Sequence, residues 1–194
     1  MMTKFYAVKK GRKTGIFNSW EECQASVLKY PGANFKRFSS EEEAKKYLYE
    51  STSPAKDRCY AYIDGSFNNE TCTYGYGGFL IDENGDSHTI QGFGKGEMSE
   101  MRNVAGEITG ATCAIELALE LNMTKLTIFY DYQGIETWAT GEWKCKNPYT
   151  KAYKNYIDSV SGKIAITFQK VKAHSGIKGN ENADKLAKEA VGLI

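Results

Sequence analysis

Cys59-Tyr60-Ala61-Tyr62-Ile63-Asp64-Gly65-Ser66 decides how the chain is read, because an apolar run of strand length ends on a carboxylate and a glycine. The run predicts a strand over 59–63 with Asp64 just past its end. Working outward, Thr73–Ile81 reads as a glycine-rich second strand. Asp82-Glu83-Asn84-Gly85 is a hairpin turn and 87–93 a third strand. Val104, Ile108, Ala111, Ile115 and Ala118 recur at helical spacing and predict a helix over about 104–121. A buried strand over 126–130 follows, with Asp131 placed after it as Asp64 is after its own. Helical stretches at Gly134–Thr140 and Pro148–Val160, a strand over 164–170 and a helix over about 180–191 complete the pattern. The predicted fold class is α/β, a mixed five-stranded sheet flanked by helices.

The segment ahead of this pattern has a different character. Residues 1–50 carry ten Lys/Arg and six Asp/Glu, a net +4, whereas the rest of the chain carries fifteen and eighteen, a net −3. This asymmetry implies one part that holds a polyanion and one that gathers carboxylates for another purpose. Residues 51–58 are polar, contain one proline and show no periodicity, so they read as a linker between domains at 1–50 and 59–194. Within the front domain, 5–8 and 35–38 are short strands. Ser19 with Glu22, and Ser40 with Glu43, are capping boxes that start helices over about 20–29 and through Tyr49. The result is a small ββα-type domain near the lower size limit for a self-supporting core.

Composition excludes several classes. A charged fraction of 25% with 13% aromatic residues indicates a folded chain, not a disordered one. No apolar run reaches transmembrane length, and Met1-Met2-Thr3-Lys4-Phe5-Tyr6 does not continue into a signal-peptide core. Five scattered cysteines without a Cys-x-x-Cys pair argue against a disulfide framework and a zinc knuckle. The expectation is a cytoplasmic protein that needs no membrane and acts as a monomer.

Four acids stand out. If the strands before Asp64 and Asp131 are parallel neighbours, both carboxylates emerge at the carboxyl edge of the sheet. Glu107 precedes Ile108 and borders the buried face of its helix. Asp184 lies beside the Ala183, Leu186 and Ala187 face of the last helix. Taken singly, an Asp after a strand is commonly a turn former and a border Glu a solvated flank. Four converging carboxylates, however, repel without compensating cations. Oxygen-rich acidic clusters are what Mg2+ or Mn2+ prefer, and two such ions roughly 4 Å apart activate a water and stabilise the leaving oxygen of a phosphodiester.

Tyr62-Ile63-Asp64-Gly65-Ser66, Asn103-x-x-Gly106-Glu107, Tyr130-Asp131-Tyr132-Gln133 and the segment from Lys172-Ala173-His174-Ser175-Gly176 to Asn180-Glu181-Asn182-Ala183-Asp184 resemble type 1 ribonuclease H, in order and in element type. The resemblance extends over 59–194. The front run Phe5-Tyr6-Ala7-Val8, Gly11-Arg12-Lys13-Thr14-Gly15-Ile16-Phe17, Trp20 and Phe35-Lys36-Arg37-Phe38 independently resembles that family's hybrid-binding domain. The resemblance implies a ribonuclease H-like catalytic domain that cuts the RNA strand of RNA–DNA hybrids and leaves 5′-phosphate ends. It further implies two Mg2+ ions, with Mn2+ able to substitute, held by Asp64, Glu107, Asp131 and Asp184. His174 would assist proton transfer or product release and Glu181 metal exchange. Ser66, Asn103 and Gln133 would read 2′-hydroxyls. Tyr6, Arg12, Trp20, Phe35, Lys36 and Arg37 would contact the hybrid.

Three features depart from the family pattern. Phe67-Asn68-Asn69-Glu70 replaces its Gly-Asn-Pro-Gly turn, Tyr132 stands where a small Ser is common, and the stretch from Trp138 to Tyr156 is short and lacks a concentrated basic handle. Gly106 and Gly110 lie inside a helix at a cost of about 1 kcal/mol each, which close approach to substrate or to a neighbouring strand would explain. Two rival readings are a non-catalytic module that coats hybrids or double-stranded RNA, and a nuclease of the same fold acting on DNA alone. Retention of all four acids argues against the first, since a pure binder gains nothing from negative charge beside phosphates.

Overall fold

A computed structural model of the protein describes residues 4–50, 59–172 and 177–194. The chain divides into two compact units, Met1–Pro54 and Ala55–Ile194. The expected linker at 51–58 lies outside the described residues.

The first unit contains β1 (Phe5–Lys10), β2 (Gly15–Phe17), α1 (Trp20–Val27), β3 (Asn34–Phe38) and α2 (Glu41–Glu50). Its sheet has three strands in the order β2-β1-β3, all antiparallel. The short β2 was not expected; its three residues are held by Tyr6, Ala7 and Val8 across the ladder. Both capping boxes form at their serines. Ser19 Oγ accepts from the Glu22 amide and Ser40 Oγ from the Glu43 amide, each at 3.2 Å. Helix α1 stops at Val27, two residues earlier than expected. The small core consists of Ala7, Val8, Cys23, Val27 and Ala44.

The second unit runs β4 (Tyr60–Asn68), β5 (Thr73–Ile81), β6 (Ser87–Gly94), a 3-10 turn (Glu97–Met101), α3 (Asn103–Glu120), β7 (Lys125–Tyr130), α4 (Gly134–Thr140), α5 (Pro148–Val160), β8 (Ala165–Lys170) and α6 (Lys178–Ala190). The sheet order is β6-β5-β4-β7-β8, antiparallel across the first three strands and parallel between β4, β7 and β8.

Strand alternation divides β4 between two cores. Ala61 and Ile63 pack with Ile108, Ala111, Ala114 and Ile115 of α3. Tyr62 joins Phe129, Val171 and Ala183, and its ring stacks on Phe129 at 4.6 Å. Such a pair adds about 0.5–1.5 kcal/mol beyond its buried area. Because β4 is covered on both faces, the groups at its carboxyl end are held by packing from above and below. Among the described residues no helix is long and apolar enough to cross a membrane.

Candidate active site

The carboxyl edge of β4 and β7 is where the acids meet, but Asp64 is not past the end of its strand as expected. It lies within β4, opposite Gly77 of β5. The parallel ladder to β7 ends at Tyr62 and Phe129, whereas the antiparallel ladder to β5 continues to Asn68. Asp-Gly reads locally as a break, and the non-local β5 partner keeps it extended. Asp131 follows β7 directly, as expected.

Two glycines let the helices reach these acids. A side chain at Gly77 would collide with the α6 main chain at Ala183 and Ala187. Helix α6 therefore sits tight against the strand position paired with Asp64, and Asp184 comes close enough for its charge to act on Asp64. On α3, a methyl group at Gly106 would strike the Gly75 carbonyl oxygen and come within 2.8 Å of Gly65 Cα. Close approach to β4 and β5 thus explains Gly106. It does not explain Gly110, where a Cβ would meet Ile63 and Tyr76 at ordinary distances of 3.5 and 3.6 Å.

With α3 this close, Glu107 is only 1% exposed, far deeper than the border position its helix spacing suggested. Its Oε2 is buried and has no hydrogen-bond partner among the described residues. One carboxylate oxygen from each of Asp64, Glu107 and Asp131 lies within 4.8 Å of the other two. Burial, and then the charge of Asp131, push the Asp64 carboxyl up to about 7, although the Gly65 amide donates to its Oδ1 at 2.7 Å. Burial, followed by the charges of Asp64 and Asp131, raises Glu107 well above the ordinary carboxylate range. A divalent cation would relieve both the repulsion and the orphaned oxygen, and an oxygen-only donor set fits Mg2+ or Mn2+ better than zinc.

Asp184 is outside that group of three. Its Oδ2 accepts from Lys188 Nζ at 2.8 Å. Sequence reading passed over Lys188, although its spacing from Asp184 is that of a helical ion pair. His174 lies outside the described residues. Glu181 is exposed in the first turn of α6.

Of the residues expected to read the substrate, Ser66 is buried on β4, Asn103 is exposed at the start of α3, and Gln133 is half-buried at the start of α4. Gln133 Nε2 donates to Glu136 Oε2 at 3.4 Å, and the same oxygen accepts from the Tyr130 hydroxyl. In the departing turn, Asn68 Oδ1 accepts from the amides of Glu70 and Thr71. Arg102, also passed over in the sequence, donates to Asn69 Oδ1 at 2.8 Å and lies 5.5 Å from the Phe67 ring. Tyr132 packs on Trp138, which in turn meets Trp143.

In the first unit, Tyr6, Trp20 and Phe35 form a row with ring centroids 5.5 and 5.9 Å apart. Trp20 and Phe35 are each 40% exposed, so neither is an interior residue of the small core. Lys36 and Arg37 are exposed on β3. Arg12 is engaged within the unit, donating to the Leu28 carbonyl at 2.6 Å and the Ala25 carbonyl at 3.4 Å at the end of α1.

Residues 56–192 match the family described as RNase H. The chain belongs to the ribonuclease H family. It is accordingly a ribonuclease H enzyme. A second match, residues 4–48, is to the Ribonuclease H1 N-terminal domain. Ribonuclease H1 of Homo sapiens is 29% identical over 254 residues, an alignment that covers 95% of this chain and 88% of that protein. Among solved structures, RNase H1 from the halophilic archaeon Halobacterium salinarum NRC-1 gives a TM-score of 0.57 at 22% identity, covering 71% of this chain and 99% of its own. LC11-RNase H1, solved in complex with an RNA/DNA hybrid, gives 0.54 at 17% identity, covering 69% and 99%. Both structures share the ribonuclease H fold with this chain.

Proposed function

We propose that this ribonuclease H hydrolyses the RNA strand of RNA–DNA hybrids with two divalent ions held by Asp64, Glu107, Asp131 and Asp184, leaving 5′-phosphate and 3′-hydroxyl ends. The observation that carries the reading is the convergence of three carboxylate oxygens within 4.8 Å, one of them from the fully buried Glu107. Mg2+ is the expected ion, and Mn2+ would substitute. When bound, the ions supply charge stabilisation at the phosphate and ease deprotonation of the attacking water.

The chain's own groups hold and select. Asp64, Glu107 and Asp131 are fixed by β4, α3 and β7, so the spacing of their oxygens is preset before substrate arrives. His174 assists proton transfer to the leaving oxygen or release of product. Selection of RNA rests on 2′-hydroxyls, which only that strand offers. Ser66 and Asn103 supply hydroxyl and amide partners for them. Gln133 has its amide nitrogen directed at Glu136, and its carbonyl oxygen would accept from a 2′-hydroxyl. In the first unit, Tyr6, Trp20 and Phe35 pack on deoxyribose while Lys36 and Arg37 neutralise phosphates, with Arg12 supporting α1. None of the five cysteines forms a disulfide, which suits a reducing cytoplasm, and the protein acts as a monomer.

Cleavage of matched hybrid, RNA duplex and DNA duplex in Mg2+ tests the reading. Only the hybrid should be cut, and a DNA duplex with a single ribonucleotide should be a poor substrate. Hybrid bound but left intact in both Mg2+ and Mn2+, or DNA duplex cut as fast as hybrid, would overturn it.

A further inference from the structure

Asp184 has a cation of its own on the same helix. Lys188, one turn further along α6, donates from Nζ to Asp184 Oδ2 at 2.8 Å, with the two side chains 37% and 27% exposed. The same helix carries a second pair at identical spacing, Lys185 with Glu189. That pair is 3.5 Å apart, with side chains 64% and 38% exposed. The Lys188 contact is therefore the shorter and the less hydrated of the two. Helix α6 is held against the sheet, because Ala183 and Ala187 are fully buried against the Gly77 position of β5. An ion that takes Asp184 must displace the ammonium or accept it as a positively charged neighbour.

We propose that Lys188 is an internal competitor for the second metal ion: its ammonium holds Asp184 while that ion is away and so sets the divalent concentration at which the site fills. The proposal rests on the assignment of Asp184 as a metal ligand. It makes the filling of the second site depend on displacing, or tolerating, a resident cation. Lys188 is a positioning residue in this scheme, since it touches neither substrate nor ion. When the second ion departs with product, the ammonium returns and Asp184 is not left without a counter-charge.

The test is Mn2+ titrated into the full-length protein and followed by calorimetry and by the electron paramagnetic resonance of free Mn2+. Titrations are done alone and with a hybrid whose RNA strand is 2′-fluoro-substituted, which removes the hydroxyls and cleavage with them. The Mg2+ concentration for half-maximal cleavage of ordinary hybrid is measured alongside. Lys188→Met keeps the aliphatic stem and removes the charge. It should tighten the weaker Mn2+ site by roughly three- to tenfold, as expected for a partly screened charge a few ångströms away, and lower the Mg2+ requirement by a similar factor. Lys188→Arg should restore wild-type Mn2+ affinity, and Lys185→Met should leave it unchanged. Asp184→Asn should lose the weaker site. Loss of that site in Asp184→Asn combined with wild-type Mn2+ affinity in Lys188→Met would overturn the competition and leave the metal assignment standing. Full Mn2+ stoichiometry and full cleavage in Asp184→Asn would remove the assignment and the competition together.

Discussion

The two units use the same kinds of side chain in opposite ways. In Met1–Pro54 Trp20 and Phe35 of the aromatic row are open to solvent beside the half-buried Tyr6, and Lys36 and Arg37 project from the same sheet. In Ala55–Ile194 the rings of Tyr62, Phe129 and Tyr130 are buried, and so are the acids Asp64 and Glu107. A charge that draws a polyanion from a distance must keep its hydration and its reach. A charge that holds an ion at a set spacing must give up hydration, and its pKa then moves against it. The second unit therefore carries a destabilising site inside an otherwise well-packed fold, and the first does not.

The largest expected effect separates chemistry from affinity. Asp64→Asn or Asp131→Asn should lower the cleavage rate by at least roughly 10²–10³-fold, while hybrid affinity measured by filter binding stays within about twofold, since the exposed row of the first unit is untouched. Near-normal turnover in either variant would erase the contrast drawn above. Gly106→Ala comes next. Its methyl group must push α3 off Gly75 and Gly65, so denaturant unfolding should show a loss of roughly 2–4 kcal/mol in the second unit, with cleavage reduced in parallel.

Deleting residues 1–50 probes the other side of the comparison. The second unit has its own sheet, core and acids, so it should fold and cut, but with hybrid affinity lower by about tenfold or more. The salt dependence of binding should also flatten, by about 0.9 in log–log slope for each phosphate that is no longer neutralised. Equal affinities and slopes across a salt series would mean that the exposed aromatic row serves another end.

A smaller effect lies in pH. The Asp64 carboxyl titrates near 3.8 when unfolded and at about 7 when folded, so between those values the folded chain binds more protons. Its contribution to stability therefore falls as pH rises from about 4 to about 7. Without metal, Asp64→Asn should melt on the order of 10 °C above wild type at pH 8, and the gap should close near pH 4. Added Mg2+ should raise the melting temperature of wild type more at pH 8 than at pH 6, since it binds the deprotonated form. Scanning calorimetry at these pH values decides the matter; a gap that widened toward acid pH would contradict the burial argument. The smallest change is Gly110→Ala, where a Cβ has room and helix propensity improves; it should stabilise by up to about 1 kcal/mol with cleavage unaltered.

What is legible in the sequence is what local chemistry decides. Ser19 and Ser40 start their helices because a cap needs only the next three residues, and α4 and α5 fall where their sequence patterns begin and end. The strand containing Asp64 reads as shorter than it is because its continuation depends on β5, whose partner residues lie beyond any local window. Strand β2 escapes notice for the same reason, being three residues with no pattern of their own. The convergence of Asp64, Glu107 and Asp131 is legible, but the depth of Glu107 is not, since it follows from how closely two glycine-bearing backbones meet. Lys188 is within reach by spacing alone. Arg102, whose partners Asn69 and Phe67 lie on another element, is not.

The meeting of Gly106 with Gly75 and Gly65 also has a consequence in time. The distance between the Asp64 and Glu107 carboxylates is governed by backbone touching backbone, an arrangement with no partly made version, because a loosely docked α3 leaves the two acids apart and hydrated. The site therefore comes into being in one cooperative step, when the helix seats on the β4–β5 pair. A chain in which α3 has not yet seated holds the acids but not their geometry. Nuclease competence in this protein is a property of the finished native state.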